Sequence, residues 1–446
     1  MLLVALAAGW PAVSQPGLLN TRGGGDSPFL LQRLHQLAAA LADGHFPVRW
    51  MPDANYGYGY PFYNYYAPLS IYIAAAFRFL GFSFVRAIHL AQLAGFAVAG
   101  LGMFYLGRRW LRSRWAGLLA AVAYTVAPFH MVNIYTRGDS LAEFWAMAFY
   151  PLILLAADGL FREGEKGRKG EGEQEHPRTL SPFLPRSLAL FALAYAALIL
   201  SHNISALIFS PFLLLYLLVR MLIAANGRGG KGEREKGRRG ADRIPPSPFL
   251  PFSPSFLSGT PARLLFLLSG LLLAFALAAW FFVPALAEQG LAQLGPVTEG
   301  YFHYSNHFRG LDLVQTGLLF DYNPDGGIAF RLGLAQVGLA IAGAVVWLLR
   351  KTTATADHSR SDEATNSSFV ISSDDRRRRS SFVIFFALIA VFMITPMSRL
   401  LWDHLPLLPF TQFPWRFLSV ASFFLALLSG GLVLAADRTA GRAAIA

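Results

Sequence analysis

The residues best placed to do chemistry are a few acids, arginines and one histidine at the ends of long apolar stretches. Asp26 lies in Gly-Gly-Gly-Asp-Ser-Pro-Phe, just after the first apolar segment; Asp139 and Glu143 lie in Tyr-Thr-Arg-Gly-Asp-Ser-Leu-Ala-Glu. Carboxylates at a membrane boundary are costly to hold there and default to a functional role. Four residues apart, Asp139 and Glu143 share one face of a helix, where they could bind a divalent cation or position a hydroxyl. The plain alternative is a cap at Asp139 and an acid in the first turn facing the helix dipole. Arg49, Arg137 and Arg416 stand at similar boundaries and suit a phosphate held by charge-assisted hydrogen bonds. His202, in Ser-His-Asn-Ile-Ser, is either a substrate-binding group or a satisfied turn residue. His303 and His307 have a metal-ligand spacing but no third ligand, so no metal site is assigned.

The elements that must position these residues are membrane helices. The chain has 446 residues, 54% of them hydrophobic and only 14% charged, which excludes a soluble two-domain protein. It has no cysteine, so disulfides, thiolate metal sites and cysteine nucleophiles are excluded. The formal charge of +12 sits mainly in four loops and the tail, around 108–114, 162–186, 220–263, 350–379 and 438–442. This is the cytoplasmic clustering of the positive-inside rule, and no nucleic-acid motif accompanies it.

Spans of about 20 apolar residues are expected at about 86–107, 115–130, 141–160, 187–201, 203–223, 263–284, 331–349, 381–397 and 416–436. Residues 1–13 are short for a span but, lacking a basic n-region, read as a first helix rather than a signal peptide. The result is an all-α polytopic protein of about ten transmembrane helices, with both termini cytoplasmic. Tyr66–Gly81 is apolar, but counting it would send every basic loop outside, so it reads as a helix lying in the outer interface. The spans themselves read as free of charge.

The organisation follows. Residues 1–160 form an N-terminal module with a first outer loop at 14–85, and 187–223 a helical pair. Residues 263–349 carry an outer loop at 285–330, and 381–446 a C-terminal pair. Between them, 161–186, 224–262 and 350–380 are low-complexity and read as disordered expansions. In the first outer loop, Ser27 and Pro28 start a helix, Leu30, Leu34, Leu37 and Leu41 form its apolar stripe, and Gly44 ends it. Six of the sixteen tyrosines fall in 56–66, which reads as an aromatic belt at headgroup level or a wall for sugar or lipid.

Several segments together resemble the bacterial "6-pyruvoyl-tetrahydropterin synthase-related" membrane proteins of the GT-C glycosyltransferase superfamily. They are Asp26-Ser-Pro-Phe with Arg33, Gly44 to Trp50, Tyr58-Gly-Tyr-Pro, Arg137 to Glu143, Ser201 to Ala206, Pro284 to Glu288 and Gln412 to Arg416. The resemblance implies transfer of a sugar from a polyprenyl-phosphate donor to a glycan, lipid or protein acceptor at the outer face of the bacterial cytoplasmic membrane. It implies Asp26 as catalytic acid/base, with Asp139 and Glu143 orienting the acceptor or a divalent cation that the chemistry does not require. Phosphate would rest on Arg49, Arg137, His202 or Arg416. A pterin synthase activity is not implied, since no histidine constellation suits it. The alternatives are a flippase or transporter of a lipid-linked or sugar substrate, and a non-catalytic envelope-assembly subunit.

Overall fold

The computed structural model describes residues 1–18, 27–138, 140–169, 186–226, 260–293, 295–324, 329–349 and 373–435. Asp26, Asp139 and most of the low-complexity segments lie outside the described residues. Among those described, the regular elements are all helical, with isolated bridges only at Met51–Tyr60 and Val314–Leu332.

In chain order the principal helices are α1 (Leu2–Val13), α2 (Ser27–Ala42), α3 (Leu69–Phe79), α4 (Phe84–Leu111) and α5 (Arg114–Thr125). Then follow α6 (Leu141–Lys169), α7 (Arg186–Ser201), α8 (Asn203–Asn226) and α9 (Thr260–Ala287). The last are α10 (Leu334–Leu349), α11 (Ser373–Phe392), α12 (Arg399–His404) and α13 (Leu418–Gly430). Each of the ten expected segments is helical, but six described helices are long and apolar enough to cross a bilayer, or seven with the α11–α12 pair bent by 91°. The remaining three, α1, α7 and α10, have 12, 16 and 16 residues.

The Tyr66–Gly81 segment is an 11-residue helix, α3. Its length of about 16 Å is half of what a bilayer core needs. It packs Ile71, Ala74 and Ala75 inward, against α2 and α4. α2 runs over the expected residues and buries Leu30, Leu34 and Leu37. Gln36, although polar, is also buried, and its Oε1 accepts the Asp53 N–H at 3.0 Å.

The core is built around α13, every residue of which is buried, with α5, α10 and α11 packed on it. Lipid tails are as apolar as leucine, so such helices gain from close approach at small residues rather than from burial as such. A Cβ on Gly343 would lie 2.0 Å from the Leu428 carbonyl oxygen, and one on Gly117 2.5 Å from the Arg108 nitrogen.

The charge-free reading of the spans is corrected by Asp158. It sits inside the expected span 141–160, fully buried, with Arg109 at 2.6 Å, Arg220 at 3.4 Å and Arg379 at 4.0 Å. An isolated carboxylate there would be prohibitive; arginines from α4, α8 and α11 converge to neutralise it. The signal was present, since each arginine stands in or beside a basic loop, but convergence of four helices on one acid is not visible in the chain order.

Candidate functional site

Four of the sequence-selected residues meet at one end of the bundle. The chain after α5 breaks at Pro128, continues through a π-helical turn at Val132–Thr136 and reaches Gly138 at a φ of +72°. That turn presents Arg137 to Glu143 in the first turn of α6, where the two form a salt bridge. Arg137 also donates to Asn133 Oδ1 at 2.8 Å, one helical turn back. Glu143 is 1% exposed, and its second oxygen, Oε1, is buried without a hydrogen-bond partner among the described residues.

Arg416 comes from the opposite end of the sequence. It is 7% exposed and donates from Nη1 to the Thr411 carbonyl at 3.0 Å, while its Nε is buried with no hydrogen-bond partner among the described residues. Arg416, His202 and Arg137 all lie within electrostatic range of Glu143. Two guanidiniums thus face one carboxylate, leaving a net positive site suited to an anion.

Aromatic rings fix the two guanidiniums. Arg137 lies 5.2 Å from the Trp415 ring centroid and 5.7 Å from that of Phe330, and Arg416 lies 5.1 Å from Phe413. Phe330 and Trp415 stack at 3.6 Å. A desolvated cation on a ring face gains about 2 kcal/mol, which stiffens groups that would otherwise be floppy. About two turns further along α6 from Glu143, the buried Tyr150 stacks on Phe209 of α8 at 4.1 Å.

His202 stands in the turn between α7 and α8. Its Nδ1 is 2.7 Å from Ser205 Oγ and accepts the Ser205 backbone N–H at 3.3 Å. Burial pushes its pKa down to about 3, with Glu143 opposing and Arg416 and Arg137 assisting. The ring is therefore neutral, and with Nδ1 accepting, the proton resides on Nε2. His202 can donate one hydrogen bond to a ligand but brings no charge.

Arg49 is engaged elsewhere. Pro284, inside α9, has no N–H to offer the Trp280 carbonyl four residues back. Arg49 Nη2 donates to that carbonyl at 2.7 Å and Nη1 to Asn64 Oδ1 at 3.0 Å. Asn64 in turn donates to Glu288 at 2.7 Å. Arg33, 4.7 and 5.0 Å from the centroids of the mutually stacked Phe62 and Tyr66 rings, anchors the aromatic stretch to α2. The tyrosines divide: Tyr63 is buried and donates to the Arg33 carbonyl at 2.6 Å, whereas Tyr56 and Tyr58 are 99% and 84% exposed.

His303 and His307 turn to Ser305 and to the Tyr301 carbonyl rather than to each other. No group of three or more metal-ligating side chains occurs among the described residues. Sequence reasoning missed Asn133 and Phe330. Asn133, four residues before Arg137, was within reach of helical spacing; Phe330, from a distant loop, had no local signal.

Comparison with known proteins adds the following. Residues 63–169 match the family model described as a 6-pyruvoyl-tetrahydropterin synthase related domain of membrane proteins. An uncharacterized protein of Lactococcus lactis subsp. cremoris is 27% identical over 211 residues, which is 46% of this chain and 31% of that protein. Among solved structures, the chain is similar to the apo oligosaccharyltransferase of Archaeoglobus fulgidus, with 16% identity and a TM-score of 0.47 over 96% of this chain and 49% of that one. It is also similar to ArnT from Cupriavidus metallidurans bound to undecaprenyl phosphate, with 13% identity and a TM-score of 0.40 over 97% of this chain and 76% of that one. The match thus spans about a third of the curated relative's length and about half of the oligosaccharyltransferase's. The matched stretch, residues 63–169, runs from the segment between α2 and α3 to the end of α6 and includes Arg137 and Glu143, so the likeness to the 6-pyruvoyl-tetrahydropterin synthase related domain covers part of the site.

Proposed function

We propose that the protein is a GT-C-type membrane glycosyltransferase, moving a sugar from a polyprenyl-phosphate donor onto an acceptor hydroxyl at the outer face. The observation that carries this reading is the layer of Arg137, Glu143, His202 and Arg416, in which Glu143 and Arg416 are buried and Arg137 and His202 half-buried. It holds Arg416 Nε and Glu143 Oε1, each buried and without a hydrogen-bond partner among the described residues, on side chains within electrostatic range of each other. Such a pair matches a phosphate and a hydroxyl side by side. The chemistry would be one displacement. The acceptor oxygen attacks the anomeric carbon as its bond to the phosphate oxygen breaks; Asp26 takes the hydroxyl proton, and the lipid phosphate leaves as an anion.

Arg137 and Arg416 are assigned the leaving phosphate, with His202 donating from Nε2. Arg49 is assigned to positioning the loop that carries Asp26, because its two terminal nitrogens already bond Asn64 and Trp280. Asp139 and Glu143 orient the acceptor, and a divalent cation could join them without being required. The charges of the described spans lie near their ends, Glu143 at one and Asp158 at the other, which fits an enzyme better than a transporter with a midplane site.

The test is release of free polyprenyl phosphate from a panel of polyprenyl-phosphate sugars in proteoliposomes. The wild type should release it from at least one donor, Asp26→Asn should not, and Arg416→Ala should lose about 10²–10³-fold. Full activity in Asp26→Asn would remove that residue from the reaction. No release from any donor by folded protein would favour the transporter or non-catalytic subunit.

A further inference from the structure

Away from that site, α4 and α7 both pack on α6 and leave a slot of about 780 Å³ between them. Phe149 and Leu152 of α6 form its floor, and Leu190 and Leu193 of α7 line one wall. Along α7 it reaches from Ser187 to Ala197, about 15 Å at the helical rise per residue. That is half of the ~30 Å hydrocarbon core, the depth of a single leaflet.

The slot ends in charge. Arg108 and Arg109, in the last turn of α4, line it beside Ser187, at the bundle end from which the basic loops depart. Arg109 is tied to Asp158 and to the Leu155 carbonyl. Arg108 is exposed and has no hydrogen-bond or ion-pair partner among the described residues. An apolar channel one leaflet deep, capped by a cation with no ion-pair partner among the described residues, is complementary to one kind of molecule present all around it.

We propose that this slot is a binding site for an anionic phospholipid of the leaflet at the basic-loop end. One acyl chain lies along α6 and the phosphate rests on Arg108, as in basic pockets between membrane helices that select anionic head groups. A polyprenyl chain is several times longer than the slot and is not its occupant. The assignment does not depend on the glycosyltransferase reading.

The experiment is lipid retention by native mass spectrometry on full-length protein, delipidated in mild detergent and re-exposed to mixed phosphatidylglycerol and phosphatidylcholine. The wild type should retain phosphatidylglycerol preferentially. Arg108→Ala should weaken that retention about five-fold, the factor one cation contributes near an anionic surface, and Arg108→Lys should restore most of it. Ala197→Phe, which fills the slot, should lose both lipids, with the unfolding midpoint in lipid-free detergent reporting that it still folds. Equal retention of the two lipids, an unchanged Arg108→Ala, displacement by inorganic phosphate alone or preference for polyprenyl phosphate would each overturn the assignment.

Discussion

At the scale of single residues, the site depends on which side chains keep an unused polar atom. Glu143 and Arg416 each have one, and both are buried, so a ligand that supplies the missing partners recovers the 1–3 kcal/mol that an unsatisfied buried group costs. His202 differs in kind. Its ordinary pKa would place it half-charged near pH 6.5, but burial holds it down to about 3. At every pH above that value the imidazole is neutral, so between pH 8 and 5 it should not titrate. NMR of isotope-labelled histidine, with His202→Gln identifying the signal, should show a resonance fixed at the neutral position. A midpoint near 6.5 would show that the ring is solvated and available to carry charge onto a phosphate.

At the scale of elements, prolines inside helices decide where the rest of the chain attaches. Pro284 releases the Trp280 carbonyl, and Arg49 from the segment between α2 and α3 caps it. Pro151 in α6 does the same for Met147, whose carbonyl accepts from Tyr124 at 2.8 Å. Freed carbonyls in lipid must be re-satisfied by neighbouring helices, so each proline doubles as a docking point. Arg49→Ala should destabilise the protein by about 1–3 kcal/mol. In a Pro284→Ala background the helix regains its own N–H donor for Trp280, and the cost of Arg49→Ala should drop by roughly half. A double-mutant cycle on unfolding in detergent measures this coupling; strict additivity would show that Arg49 acts without Trp280.

For the whole molecule, the two buried acids lie near the two ends of the apolar span Leu141–Phe161 within α6. Asp158 joins α4, α6, α8 and α11 through three arginines, so Asp158→Ala should cost about 3–5 kcal/mol by leaving buried cations unpaired. A wild-type unfolding midpoint in that variant would show that the cluster is solvated. Orientation is equally testable because the chain has no cysteine. Arg112 caps the C-terminal end of the 28-residue α4, and Tyr56 is exposed in the segment that precedes α3 and α4. In intact cells, Tyr56→Cys should react with a membrane-impermeant maleimide and Arg112→Cys only after permeabilisation. The reverse pattern would place the basic loops outside and the proposed site inside.

Apolar run length and loop charge were enough to determine from the sequence that the protein is helical and membrane-embedded. The spacing of Ser27, Leu30, Leu34 and Leu37 was enough for α2, because helix caps and periodicity are local properties. The motifs containing Arg137, Glu143, His202 and Arg416 were also legible as boundary residues of unusual chemistry. Their convergence was decided only by tertiary packing, since residues from 137 to 416 meet through helices whose order around the bundle leaves no trace in the chain. The same holds for Arg49, which was legible as a charge but whose place beside Trp280 depends on a proline 235 residues away. Asp158 shows the reason most directly: a lone acid in an apolar run is tolerable only if cations arrive from elsewhere, and where they come from is a property of the fold.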